Sequence, residues 1–268
     1  MERVIELPGY GGVGILTPAG GAANATAVVL FNAGLIHRSG PQRLHVDLAR
    51  RLAARGFHVL RFDLPGIGDA MSAGAAPTTR AAIQALDAVQ ATTGASNFVI
   101  GGICSAADLG WRVALADARV QGLLMIDGMA VGGTWYRLGK LRMALGSSPA
   151  SWPGKLLRRL RRDAAHRGDS SDALVDDLRD WPAPHEFTRQ AAELLDRGLN
   201  VLALYTGGVA DYLLHPRQID RTFGPSRRHP GLRVIIRFDM DHIFFALRHR
   251  REAIGLIGDW LQDTFHER

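Results

Sequence analysis

The strongest constraint on the fold is an alternation of short apolar segments with longer amphipathic ones along most of the chain. Residues 27–31 read AVVLF without a polar side chain, which is typical of a strand buried on both faces. Residues 41–55 then place their leucines on one helical face, and Gly56 ends that segment. Such alternation predicts an α/β protein with a mostly parallel, doubly wound sheet.

The same pattern recurs to the end of the chain, after a predicted antiparallel hairpin at 3–7 and 13–17. The other predicted strands are 58–64, 97–103, 120–126, 201–205 and 234–238, and the other predicted helices are 79–93, one that begins near Ser105, and 250–265. Ligands of parallel sheets bind at the carboxyl ends of the strands. We therefore expect the chemistry in the loops after Phe31, Ile103, Tyr205 and Phe238.

Composition limits the class of protein further. With 268 residues and 47% apolar residues, the chain suits one domain with a large core. The net charge of +6 is carried almost entirely by arginine, and no nucleic-acid-binding motif accompanies it. A single cysteine excludes an internal disulfide, no apolar run is long enough for a bilayer, and the histidines lack metal-ligand spacing. We expect a soluble cytoplasmic protein with no metal, cofactor, nucleic-acid partner or membrane partner.

The alternation of strands and helices breaks between residues 131 and 181. This stretch is helical in character, rich in tryptophan, and basic from Lys155 to Arg162. Because it lies between two predicted core strands, it is expected to project over the strand ends as a helical lid. The predicted core is then 1–130 together with 182–268, without a second independent domain.

A cysteine stands at the end of the predicted strand 97–103. Gly102 and Ala106 flank Cys104 at two residues on either side, which is the small-x-nucleophile-x-small pattern of a nucleophile elbow. In such a turn the two flanking residues pack against each other, so both must be small. Placing Ser105 at the centre instead would put the β-branched Ile103 at the close-packed position. The spacing therefore favours Cys104 as the nucleophile.

The elbow, the final strand and the turn at 63–69 together resemble the α/β-hydrolase family over nearly the whole chain. The resemblance is nearest to serine aminopeptidase-like hydrolases and to cysteine variants linked to exported-polymer or secondary-metabolite biosynthesis. It implies that His242, which follows the last strand, is the catalytic base. It implies Asp211, after the preceding strand, as the acid that orients the base, with Asp127 as the alternative.

The loop after Phe31 departs from the His-Gly-x motif that is usual in this family. Asn32 and Ala33 take the first two places of that motif. The backbone N–H groups of Gly34 and Ser105 are nevertheless expected to form the oxyanion hole. His37 and Arg38 flank this loop and are candidate substrate contacts.

A cysteine nucleophile would form a thioester acyl-enzyme, which is nearly level in energy with a thioester donor. The predicted function is therefore acyl transfer or hydrolysis acting on a small-molecule acyl group, carried by coenzyme A or an acyl carrier protein. The lid also carries cations that are either a docking site for such a carrier or a solvated helix face: Lys155, Arg158, Arg159, Arg161 and Arg162. A carboxylic ester or dienelactone-hydrolase-like lactone hydrolase, and a non-catalytic binding protein, remain alternatives.

Overall fold

The eight strands of the computed structural model form one sheet. The structure describes residues 1–8, 11–71, 78–145, 181–209 and 212–265. In chain order the strands are β1 (Arg3–Leu7), β2 (Gly12–Thr17), β3 (Thr26–Leu30), β4 (His58–Phe62), β5 (Asn97–Ile103), β6 (Val120–Ile126), β7 (Asn200–Thr206) and β8 (Leu232–Arg237). Their order across the sheet is β1-β2-β4-β3-β5-β6-β7-β8. Only the pairings made by β2, with β1 and with β4, are antiparallel.

The central strands are buried, as their uninterrupted apolar sequences predict. Every residue of β3 is buried, and only the first residue of β5 and the second of β6 are partly exposed. Leu30 pairs with Gly101, and Ile103 pairs with Ile126. These registers bring the carboxyl ends of the central strands to one edge of the sheet, which confirms the predicted parallel arrangement.

Seven α-helices are described, and those that pack on the sheet form a layer on each of its faces. They are α1 (Leu44–Ala53), α2 (Thr78–Thr93), α3 (Ser105–Ala116), α4 (Thr134–Leu145), α5 (Pro184–Asp196), α6 (Arg217–Phe223) and α7 (Leu247–Phe265). Apolar residues of α2, α3 and α5 belong to the core on one face, whereas those of α1 and α7 belong to the core on the other. The doubly wound architecture is therefore confirmed.

The predicted helix at 41–55 begins differently from its sequence pattern. Gln42 and Arg43 have positive φ values of 49° and 62°, so the 3₁₀ turn assigned to Pro41–Arg43 does not continue into the helix, and α1 begins only at Leu44. The last helix begins at Leu247, three residues before the predicted start. No described helix combines the length and the apolar character that crossing a membrane requires.

Of the predicted lid, the structure describes 131–145, which include α4, and Trp181. The rest of the predicted lid, including its basic run, lies outside the described residues. The Trp135 indole of α4 stacks on the His215 ring, with the ring centroids 4.6 Å apart. The guanidinium of Arg217 lies 4.6 Å from the centroid of the same indole. The first part of the predicted lid is thus packed against the segment that follows β7.

Candidate active site

Cys104 occupies the sharp turn between β5 and α3. Its backbone has φ 61° and ψ −122°, a conformation that costs a residue other than glycine about 1–3 kcal/mol. A Cβ atom added to Gly102 would lie 3.0 Å from the Cβ of Ala106. The close packing that the spacing of small residues predicted is therefore present around Cys104.

Ser105, the alternative nucleophile, lies in the first turn of α3. Ser105 is only 3% exposed, whereas Cys104 has intermediate exposure. The Ser105 Oγ accepts a hydrogen bond of 2.8 Å from the N–H of Gly34. The hydroxyl is thus directed at the loop after β3, while the thiol occupies the turn itself.

His242 lies in the loop between β8 and α7, and its imidazole bonds to a carboxylate. Its Nδ1 is 2.7 Å from Oδ2 of Asp127, which follows β6 directly and is fully buried. The hydrogen bond that His242 donates to Asp127 is the main cause that raises the pKa of His242 to about 9, and an interaction with Cys104 is the next. The three side chains therefore form a connected series from carboxylate to imidazole to thiol.

Thr206, at the end of β7, fixes the Asp127 carboxylate. The Thr206 N–H donates to Oδ1 at 2.6 Å, and the Thr206 hydroxyl donates to Oδ2 at 2.7 Å. With His242 Nδ1 donating to the same Oδ2, the carboxylate has three donors although it has no contact with solvent. Hydrogen bonds of this kind offset the cost of burying a charge.

The carboxylate that contacts His242 is thus the alternative acid of the sequence analysis. Asp211, the first choice, lies outside the described residues. Asp127 follows its strand immediately, and Ile126 pairs with Leu204 in the neighbouring strand β7. The carboxyl ends of β6 and β7 are therefore adjacent, and the loops that follow these two strands both start close to His242.

Two consecutive glycines after β7 let the chain pass next to the loop that carries His242. A Cβ added to Gly207 would lie 2.2 Å from the carbonyl oxygen of Phe238. A Cβ added to Gly208 would lie 2.2 Å from the Cβ of His242. Neither Thr206 nor this glycine pair was singled out from the sequence, although a Thr-Gly-Gly run at a strand end was its visible signal.

The loop after β3 is anchored to the turn after β4 by the side chain of Asn32. Its Nδ2 donates to Asp63 Oδ1 at 2.8 Å and to the Ile36 carbonyl at 2.9 Å, and its Oδ1 accepts from the Leu64 N–H at 2.8 Å. Asn32 and Asp63 are both buried. The residue that replaces the family's usual histidine therefore holds the loop that carries Gly34.

Arg38, a candidate substrate contact, forms ion pairs within the protein. The Arg38 guanidinium pairs with the carboxylates of Asp63 and Asp69, and the Arg38 backbone N–H donates to Asp63 Oδ1 at 2.6 Å. His37 Nε2 is also 3.3 Å from Asp69. The ligand atoms of His37, Asp63 and Asp69 lie close enough together to hold a cation, but the Arg38 guanidinium already pairs with both carboxylates. Arg38 therefore shapes the loop.

Comparisons with known proteins give structural matches only. No family model and no curated protein sequence matches the chain. Solved structures similar to it include a proline iminopeptidase from Mycobacterium smegmatis (16% identity, 98% of each chain covered, TM-score 0.60). Others are an α/β serine hydrolase without a lid from Xanthomonas campestris (14% identity, 100% of this chain and 96% of that chain, TM-score 0.57) and a putative lipase from Acinetobacter baumannii (13% identity, 98% and 91%, TM-score 0.60). The chain has the α/β-hydrolase fold.

Proposed function

We propose that this protein is an acyl-transfer enzyme of the hydrolase type, with Cys104 as nucleophile, His242 as proton carrier and Asp127 as the orienting acid. One observation carries the proposal, namely the series in which buried Asp127 bonds to His242 and His242 interacts with Cys104 at the elbow. A cysteine that served only to pack would need no histidine–carboxylate pair beside it. The similar structures named as a peptidase, a serine hydrolase and a lipase support the same broad chemistry.

The protonation state of His242 sets the order of the steps. Because its pKa is about 9, the imidazole is protonated at neutral pH, and an imidazolium favours the thiolate form of a neighbouring cysteine. The thiolate sulfur attacks the acyl carbon, and the carbonyl electrons move onto oxygen. When the tetrahedral intermediate collapses, the bond to the donor's sulfur breaks and His242 protonates the leaving thiolate.

The second half of the reaction uses His242 in its neutral form. It removes a proton from the acceptor, which is water, an amine or an alcohol, as the acceptor attacks the acyl-cysteine. Collapse of the second intermediate releases the product and restores the thiolate beside the imidazolium. Asp127 holds the imidazole in place through Nδ1.

The thioester is the donor that this chemistry favours, on coenzyme A or on a carrier protein. Transfer from one thioester to a cysteine makes a bond of the same type as the one broken. Forming the same acyl-cysteine from an oxygen ester or an amide is uphill. A thioesterase and an acyltransferase share this acyl-enzyme and differ only in the acceptor.

The N–H groups of Ser105 and Gly34 are the proposed oxyanion donors. The first N–H groups of a helix have no partner within it, and that of Ser105 opens α3. The N–H of Gly34 donates to the Ser105 hydroxyl in this structure. It can bind an oxyanion only after that hydroxyl turns away.

Intact-protein mass spectrometry after incubation with a panel of acyl thioesters tests the proposal. We expect an acyl mass on the wild type and on Ser105→Ala, and none on Cys104→Ala. His242→Ala should slow acylation or trap the adduct. An adduct lost only in Ser105→Ala would move the nucleophile by one residue. Turnover of simple activated esters with no thioester adduct would favour an ester hydrolase, and no reaction with either would favour a binding protein.

A further inference from the structure

A groove of about 500 Å³ lies between α1 and α7. Asp47 and Arg51 of α1 form one wall, and Leu247, Arg250 and Arg251 of α7 form much of the other. No step of the proposed reaction uses these residues. The groove is therefore a second concave surface with a strongly basic lining.

Two ion pairs show where the groove lies relative to the active site. Arg250 faces Asp47, with 3.8 Å between Nε and Oδ2, and Arg55 pairs with Asp259 at 2.9 Å. From the first pair to the second, residue numbers increase on both sides, from 47 to 55 and from 250 to 259. The helices α1 and α7 therefore run parallel. Both begin at the carboxyl edge of the sheet, where the nucleophile is.

Each of these helices also follows a loop of the active site directly. The loop that holds Gly34 leads through the 3₁₀ turn into α1, and the loop that holds His242 leads into α7. Asp47 lies in the first turn of α1, and Leu247 and Arg250 lie in the first turn of α7. The groove therefore opens beside the carboxyl edge of the sheet, at which an acyl group would react.

The charges in the groove are not balanced by the protein. Arg51 and Arg251 are exposed, and within the described part of the chain neither has a carboxylate within 4 Å. The Nε of Arg250 is buried without a hydrogen-bond partner among the described residues, since Asp47 is too distant for one. Three guanidinium groups thus face one carboxylate, and the positive ends of two helix dipoles add to the same field.

We propose that this groove binds the phosphate groups of an acyl-coenzyme A donor. The inference rests on the proposed function, in which the donor is a thioester. Arginine is the side chain best suited to phosphate, because its planar group donates two parallel hydrogen bonds. Phosphates held in the groove would leave the pantetheine arm to carry the thioester across the adjoining edge to Cys104.

The test compares one acyl group on two carriers, coenzyme A and N-acetylcysteamine, which has a thioester but no phosphate. We expect Arg51→Gln and Arg251→Gln each to lower kcat/KM for the coenzyme A thioester roughly tenfold, as the loss of one charge-assisted contact predicts. The value for the N-acetylcysteamine thioester should not change. Arg80→Gln is the matched control, because Arg80 is an exposed arginine of α2 on the opposite face of the sheet.

Several outcomes would overturn the inference. Equal use of the two thioesters by the wild type would do so, as would variants that affect both alike. A clear preference for an acyl carrier protein, with acyl-coenzyme A no better than the N-acetylcysteamine thioester, would assign the donor to a different carrier.

If neither thioester acylates the wild type, the proposed function fails, and calorimetry with coenzyme A itself then decides about the groove. Binding that the Arg51→Gln/Arg251→Gln double variant loses would support the phosphate site. Absence of binding would reject it.

Discussion

Replacing Asp127 with asparagine should lower the pKa of His242. The pKa is raised from 6.5 to about 9, chiefly by the hydrogen bond that the imidazole donates to Asp127. A difference of that size corresponds to at most about 3 kcal/mol in favour of the imidazolium. The true value is smaller because 31% of the imidazole is exposed and solvent screens the pair. At pH 7.5 the protonated fraction would fall from nearly all of the molecules toward roughly one tenth.

Titration of the His242 ring signals by NMR would measure this change directly. The rate at which iodoacetamide alkylates Cys104 as a function of pH gives a second measurement. In Asp127→Asn we expect the His242 pKa to fall by at least about one unit, and the reactivity of the thiol at neutral pH to fall with it. Asp211→Asn is the matched control and should leave both unchanged. A His242 pKa that fell toward 6.5 in Asp211→Asn but stayed near 9 in Asp127→Asn would refute the reasoning.

The same pair predicts how stability depends on pH. The folded pKa of His242 lies above its unfolded value, so the pair stabilises the fold fully below pH 6.5. That contribution is lost as the pH rises through about 9. Urea unfolding of the wild type should therefore show a decline over this range, and Asp127→Asn should not show it.

Three further predictions concern groups that support the site. Gly102→Ala should lower the free energy of unfolding by about 1–3 kcal/mol because φ is +149° and the added Cβ would be crowded, whereas Gly132→Ala, which meets open space, should not. Burial lowers the pKa of His45 to about 4, so the wild type should lose up to about 3 kcal/mol as the pH falls from 6.5 to 4, and His45→Phe should lose less. Asn32→Ala should cost at least about 1–3 kcal/mol in urea unfolding, because the buried carboxylate of Asp63 loses a donor, and it should also slow acylation. A wild-type unfolding free energy in Gly102→Ala or Asn32→Ala would contradict the contact assigned to that residue, and an unchanged loss between pH 6.5 and 4 in His45→Phe would contradict the assignment of that loss to His45.

Local steric rules made the turn at Cys104 predictable. The glycine and the alanine on either side of Cys104 are each only two positions away from it, so the sequence alone shows whether the turn can close. The buried strands were predictable for a similar reason, because β5 and β6 keep an apolar side chain on both faces. Their predicted bounds, 97–103 and 120–126, agree with the structure.

Long-range partners were not predictable in this way. Asp127 and Asp211 both follow a predicted strand, and no local pattern says which carboxylate bonds to His242. Arg38 looked free for a substrate because its partner Asp63 lies 25 residues further along the chain. Such pairings are decided by the order of strands in the sheet, where β3 and β4 are neighbours. The sequence predicted that both strands exist but did not predict which side chains meet between their loops.

The hydrogen bond from Gly34 to the Ser105 hydroxyl has a consequence for selectivity. A neutral carbonyl that replaced the hydroxyl at this N–H would exchange one ordinary acceptor for another and gain little. An oxygen that carries a developing negative charge is an acceptor roughly twice as strong, so in the proposed reaction it would displace the hydroxyl with a net gain. The loop would then stabilise the charged intermediate and would add almost nothing to the binding of the neutral substrate. The Ser105 hydroxyl would accept the Gly34 hydrogen bond until the charged oxygen of the intermediate takes its place.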